Sequence, residues 1–300
     1  MSINPIVKKE VKVQARSMRI CWEIFAYEAI MAAVFFYAML VFEQQAPYSS
    51  SNLYSSIVWL YPVLAVTQLL ILGVVVPIRT ASAISGEKER QTFDIMMTTS
   101  MSPFSVIWGK VLTAIIQSMF FVVAGLPVMA LAFVIGGLAW SNLFYFLGIA
   151  VLVSFFCASI GILCSSLCRK TITAVILSYS FYVLFFVGTF LGSLTGIILH
   201  TNGGTGTGTG PVLFLLLNPA MYLIEFFTWS MAGTSGVEAM LTSGTAIFGS
   251  GTAGGIHYAW MAVSTVLFLG ISFLFLLLAT RRINPFSGQK RQHIWGKNHG

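Results

Sequence analysis

The sequence predicts an all-α integral membrane protein: six transmembrane helices, an N-terminal interfacial helix, a short charged helix between spans two and three, and outer re-entrant helices before the last span. Three observations carry this. First, 57% of residues are hydrophobic and only 8% charged, with 25 Phe and a mean hydropathy of +0.87, which leaves too little polar surface to cover a soluble globule. Second, six apolar runs, at roughly 24–42, 56–78, 106–135, 142–167, 171–199 and 258–280, reach the length of about 20 residues that a helix needs to cross the hydrocarbon core. Lipid offers no partner for unpaired peptide groups, so these runs are read as helices. Third, all 16 Lys and Arg fall on one side of the six-span arrangement. They cluster before span one (Lys8, Lys9, Lys12, Arg16, Arg19), around the second loop (Arg79, Lys88, Arg90, Lys110), between spans four and five (Arg169, Lys170) and after span six (Arg281, Arg282, Lys290, Arg291, Lys297). By the positive-inside rule both termini are expected in the cytoplasm, in a multi-pass protein of a bacterial plasma (inner) membrane. The basic pI of 9.3 is then a topology signal, and no aromatic–basic surface suggests nucleic acid as a partner.

Residues 1–23 form the first unit. Asn4-Pro5 suits a helix start, with Asn as cap and Pro where its missing N–H costs nothing. Val7, Val11, Met18 and Trp22 recur at helical spacing among the cations, as in a helix lying on anionic lipid, each cation contributing about 1 kcal/mol. The transmembrane unit spans 24–280. In span one, Glu28 is either a polar group facing a translocation path or, the preferred reading, a side chain at interfacial depth reaching headgroups or Arg19. Span two carries Pro62 near its outer start and Pro77 near its inner end, each expected to bend it. Pro127, beside Gly125 in span three, is a candidate hinge or pathway kink. Spans four and five are joined only by Arg169-Lys170-Thr171, a tight antiparallel hairpin. In span five Gly188, Gly192 and Gly196 recur every fourth residue, permitting close helix approach either to a second copy or within the subunit.

The long loop 200–257 has three parts. Residues 201–210 are a Gly/Thr linker. Residues 212–232 are apolar again but interrupted by Asn218-Pro219; a full crossing there would place the basic C-terminus outside, so they are read as re-entrant or interfacial helices. Residues 233–256 are read as a mobile outer lid or partner contact. Glu225 is either gate-lining or exposed to outer water. A metal role for His200 and His257, or for Cys164 and Cys168 one turn apart, is disfavoured against ordinary packing. Together with Cys21 and Cys157, these cysteines lie away from any oxidising compartment, so no disulfide framework is expected. The tail 281–300 is basic and expected to be loose.

The densest charge lies between spans two and three, in Ser85-Gly86-Glu87-Lys88-Glu89-Arg90-Gln91-Thr92-Phe93, followed by Asp94, Met96-Met97-Thr98-Thr99, Ser102-Pro103-Phe104 and Gly109-Lys110. From about Ser82 to Thr99 the pattern reads as an amphipathic helix, with Phe93, Met96 and Met97 on one face. This run resembles the signature of type-2 ATP-binding-cassette (ABC) exporter permeases: an acidic–basic run ending in Thr, two apolar residues, a Ser/Thr-Pro turn and a Gly-Lys pair. The sequence departs from it at Gln91, where the family usually has Gly, and at Ser100, where it often has Pro. The resemblance implies that the segment 80–105 holds a coupling helix docking on a separate ATP-hydrolysing subunit, through Glu87, Lys88, Glu89, Arg90, Thr92, Phe93, Asp94, Met96 and Met97. It also implies a second permease copy or homologue, and ATP and Mg bound by the partner. The chain itself has no G-x-x-x-x-G-K-[ST] phosphate cradle, so no cofactor and no catalysis are expected of it.

The function expected is therefore that of a permease subunit exporting an amphipathic substrate, such as a drug, peptide or lipid-like molecule, in contact with membrane lipid. An ATP-independent channel or carrier is the alternative; it calls for more ionisable groups inside the spans than Glu28 and leaves the motif unexplained. An intramembrane enzyme has no support, since neither H-E-x-x-H nor paired intramembrane carboxylates occur.

Overall fold

A computed structural model describes residues 7–8, 11–13, 16–45, 59–93, 103–136, 140–192, 213–232, 235, 237 and 253–283. Among these residues there is no strand, and six helices are long and apolar enough to cross a membrane. Helix α1 covers Met18–Gln45, α2 Leu60–Glu89, α3 Pro103–Ala124, α4 Leu126–Gly136, α5 Trp140–Leu167 and α6 Thr171–Val183, which runs on through a π-turn, Leu184–Gly188. A 3-10 turn at Phe214–Leu217 leads into α7, Pro219–Ala232, and α8 is Ala253–Ile283. Helices α2, α3 and α5 form the buried centre, whereas α1, α6 and α8 present mostly exposed apolar faces.

Several boundaries differ from the sequence reading, each for a local reason. The N-terminal helix does not extend to Trp22. The chain bends at Arg16–Ser17, where the Ser17 hydroxyl accepts from the Arg19 N–H at 3.3 Å, and Met18 to Trp22 open the first span. Span three is interrupted at Gly125, between α3 and α4. A Cβ there would lie 2.2 Å from the Tyr27 hydroxyl, so the glycine makes room for a buried ring from α1. Pro127, two residues on, is exposed. The 14 residues of α7 extend about 21 Å, short of the roughly 30 Å hydrocarbon core, so this segment is no seventh span.

Packing is set by glycines and aromatic rings. Gly161 of α5 lies against Thr80 of α2, and Gly73 of α2 against the ring of Tyr182 of α6. Pro77 withholds the N–H that the Gly73 carbonyl would accept, and one residue along the Tyr179 hydroxyl bonds the Val74 carbonyl at 2.6 Å. Tyr61 sits edge-on to Phe133, Phe146 and Phe227, holding α2, α4, α5 and α7 together at the end opposite the cations. Such edge-to-face pairs contribute about 0.5–1.5 kcal/mol each beyond burial.

Candidate coupling site at the basic ends of the spans

Helix α2 is 30 residues long, about 45 Å, so its last turns pass beyond the hydrocarbon core. The sequence reading gave residues 82–99 a helix of their own. In the structure Ser82 to Glu89 instead complete the helix of span two, because no cap or breaker intervenes. That continuity makes the charged run the rigid end of a membrane span.

Successive residues on a helix point about 100° apart, and the three charges use this to reach three neighbours. The Glu87 carboxylate accepts from Lys110 Nζ of α3 at 2.8 Å; the Lys110 side chain is only 3% exposed. Lys88 Nζ donates to the carbonyls of Ser166 at 2.5 Å and Cys168 at 3.3 Å, serving the end of α5, where carbonyls lack helical donors. The Glu89 carboxylate accepts from the Thr171 hydroxyl, which opens α6. One turn earlier, the Ser165 hydroxyl oxygen accepts from the N–H groups of Ile84 and Ser85 at 2.9 and 2.8 Å. The end of α2 is thus fastened to α3, α5 and α6.

Beyond Glu89 the chain turns back by a Schellman closure. The Gln91 N–H bonds the Lys88 carbonyl and the Thr92 N–H bonds that of Glu87, at 3.2 and 3.0 Å, with Gln91 at φ 57°. Left-handed backbone at this position favours glycine. Gln91→Gly is therefore expected to raise stability by about 1 kcal/mol, read as a higher thermal midpoint in detergent.

Arg90, Gln91 and Thr92 are exposed, while Phe93 is half-buried with Lys88 Nζ 5.8 Å from its ring centre. Asp94, Met96 and Met97 lie outside the described residues. Of the described charges assigned to partner contact, Glu87 and Lys88 are half-buried and engaged inside the subunit, Glu89 is exposed but bonded to Thr171, and Arg90 is exposed.

A second junction escaped the sequence reading. Arg79, ten residues before Glu89, pairs with Glu23 of α1, donates to Gln117 Oε1 of α3 at 3.1 Å and lies 5.4 Å from the Phe121 ring centre. The sequence reading has Arg79 only as one of the cations around the second loop. Glu28, by contrast, is half-buried, with one oxygen enclosed and unpartnered among the described residues.

At the opposite end Glu225 is 1% exposed, which overturns the reading of a side chain open to outer water. Its carboxylate accepts from the Ser235 hydroxyl at 2.5 Å and the Val237 N–H at 3.0 Å, and lies 3.1 Å from His257 Nδ1. Trp229 stacks on the His257 ring with centroids 4.6 Å apart. Ser235 and Val237, placed by the sequence reading in a mobile lid, are buried. Cys157 and Cys164 are buried packing residues and Cys21 is exposed. The rest of the 233–252 segment, His200 and the tail from 284 lie outside the described residues.

The glycine stripe is placed as follows. Gly188 is exposed, and a Cβ on it would touch only Leu184 of its own helix; one on Gly192 would meet no atom within 4 Å; Gly196 lies outside the described residues. Close approach inside the subunit falls instead to Gly73, Gly125 and Gly161, isolated glycines that form no stripe.

Comparison with known families decides the class, for the model of the ABC-2 family transporter protein matches residues 37–279. The chain belongs to the ABC-2 transporter family. Comparison with curated proteins gives no match. The family match covers the last part of α1 and all the later span helices except the end of α8, and it includes the whole junction at the end of α2. The ABC-2 chain is thus a membrane component of a transporter, with its densest charge network at the end of its second span.

Proposed function

We propose that this chain is the transmembrane permease subunit of an ABC exporter, driven by a separate subunit that binds and hydrolyses ATP with Mg, and that two permease chains enclose the pathway. The basic ends face the cytoplasm by the charge rule. The observation that carries the reading is the junction at the end of α2. A push delivered just beyond Glu89 reaches α3, α5 and α6 through Glu87, Lys88 and Glu89 without a flexible link. Arg90 and the segment after it, through Asp94, Met96 and Met97, are left to meet the ATPase. The few ionisable groups among the spans and the broad apolar faces suit an amphipathic cargo: a drug, a peptide or a lipid-like molecule.

The division between inward and outward charges gives the test. The chain would be co-purified with its ATPase and assayed in liposomes with ATP, Mg and an amphipathic fluorescent dye. Arg90→Glu is expected to weaken ATPase association by about tenfold with the thermal midpoint unchanged. Lys110→Met is expected to keep association but lose most ATP-driven dye movement, since Glu87 no longer holds α3. Wild-type transport by both variants, or transport that persists without the ATPase, would sink the proposal, the second outcome in favour of an ATP-independent carrier.

A further inference from the structure

The side chain of Asn218 is bonded in two directions. Its Oδ1 accepts from the N–H groups of Ala220 and Met221 at 2.9 and 3.4 Å, capping α7. Its Nδ2 donates to the Phe186 carbonyl at 2.9 Å and to the Thr189 hydroxyl at 3.0 Å. Phe186 lies within the π-turn Leu184–Gly188, where the wider turn disrupts the usual carbonyl ladder, and Thr189 Oγ1 donates to Phe185 at 2.5 Å. The amide is buried and its donors and acceptor are all used. The chain joining these two elements lies outside the described residues, and the Asn218 amide is a polar link between them.

Further along α7, the Tyr222 and Thr265 hydroxyls are 2.9 Å apart, and Glu225 meets His257; both partners belong to α8. The side toward α2 is different. There Val66, Leu69 and Leu70 face Phe186, Leu223 and Ile224, with Val153 of α5, around a small apolar cleft. No hydrogen bond crosses this seam among the described residues. Nearer the basic end, α2 and α6 are joined again by Gly73 against Tyr182 and by the Tyr179–Val74 bond.

We propose that Asn218 is a positioning residue that locks α7 to the π-turn of α6, so that α6, α7 and α8 move as one body. The outer end of the subunit then opens along the carbon-only seam against α2, parting the Tyr61–Phe227 ring contact, with the Gly73–Tyr182 contact as its pivot. Polar contacts are short and directional and resist sliding, whereas each carbon–carbon contact is weak and non-directional. The role in transport rests on the permease reading; the lock itself does not.

Asn218→Asp separates capping from locking, because Asp caps a helix as well as Asn but cannot donate to the Phe186 carbonyl. Thr189→Val removes one partner without touching the cap. Nitroxide labels would be placed on the full chain, with Cys21 and Cys168 changed to Ser, as one pair across the seam (Leu70→Cys with Ile224→Cys) and one within the body (Leu191→Cys with Ile224→Cys). The within-body distance is expected to be narrow in the parent, to lose its single peak in Asn218→Asp and to broaden partly in Thr189→Val, each measured below the variant's own thermal midpoint. In the complex with the ATPase, ATP and vanadate are expected to shift the seam distance and leave the within-body one unchanged. A narrow within-body peak in Asn218→Asp, or a nucleotide shift in both pairs, overturns the lock. Broadening in Asn218→Asp with no nucleotide shift in either pair supports the lock and counts against the permease reading.

Discussion

Replacing Glu225 with leucine is expected to cost about 3–5 kcal/mol of stability, because several buried groups lose their hydrogen-bond partner at once. The cost arises less from the lost carboxylate than from what remains. The Val237 N–H and His257 Nδ1 both lose their carboxylate partner in a buried site, and the Ser235 hydroxyl loses one of its contacts; a stranded buried group costs about 1–3 kcal/mol. Glu225→Gln keeps a carbonyl oxygen and should cost clearly less. The protein carries its own reporters: Cys157 and Cys164 are buried, so with Cys21 and Cys168 changed to Ser, thiol-dye labelling on heating reads unfolding. The leucine variant should unfold about 10 °C lower. A fall under about 2 °C would mean that the carboxylate is not holding this segment.

What could be read in the sequence and what could not follow from the same physics. Span number and helix class depend on length and composition, which act locally, and the described residues have six apolar helices at nearly the expected positions. The motif from Ser85 to Lys110 was visible as charge in a chain that avoids it. Its geometry was not visible, because nothing in the pattern distinguishes a new helix at Ser82 from the last turns of span two. The destinations of Glu87, Lys88 and Glu89 depend on which helices lie 100° apart around α2, a property of the whole bundle. Gln91 stood out as a departure from glycine; only its φ of 57° shows that the family's preference is for left-handed backbone at a helix end. Glu225 and His257, 32 residues apart, and Arg79 with Glu23, 56 apart, meet through tertiary packing that no periodicity encodes. The Gly188, Gly192 and Gly196 stripe satisfied a pattern rule, yet the glycines under steric demand inside the subunit are the ones facing a bulky side chain on another helix.

That demand gives the other large effect, at Gly161. A Cβ built there would fall 1.8 Å from Thr80 Oγ1 and 2.8 Å from Thr80 Cβ, with the backbone nitrogen of Ala81 at 3.3 Å. Thr80 is poorly placed to yield, since its hydroxyl is bonded to the Val76 carbonyl at 2.8 Å and the residue is buried. Gly161→Ala must therefore separate α2 from α5, at a cost of about 3 kcal/mol, the upper part of the range for an overpacked core. Thr80→Gly alone leaves a small void and removes helix propensity, costing about 1–2 kcal/mol. Combined, the two add a methyl group on α5 where the Thr80 side chain has been removed from α2, so the double variant should be more stable than Gly161→Ala alone, with a coupling of about 1–3 kcal/mol measured from the four thermal midpoints. Additive losses would show that the two helices do not meet through this pair. Separation here also pulls the Ser165 hydroxyl from the Ile84 and Ser85 N–H groups one turn further along. Gly161→Ala should therefore loosen the junction that Glu87, Lys88 and Glu89 make at the end of α2, and the double variant should restore it.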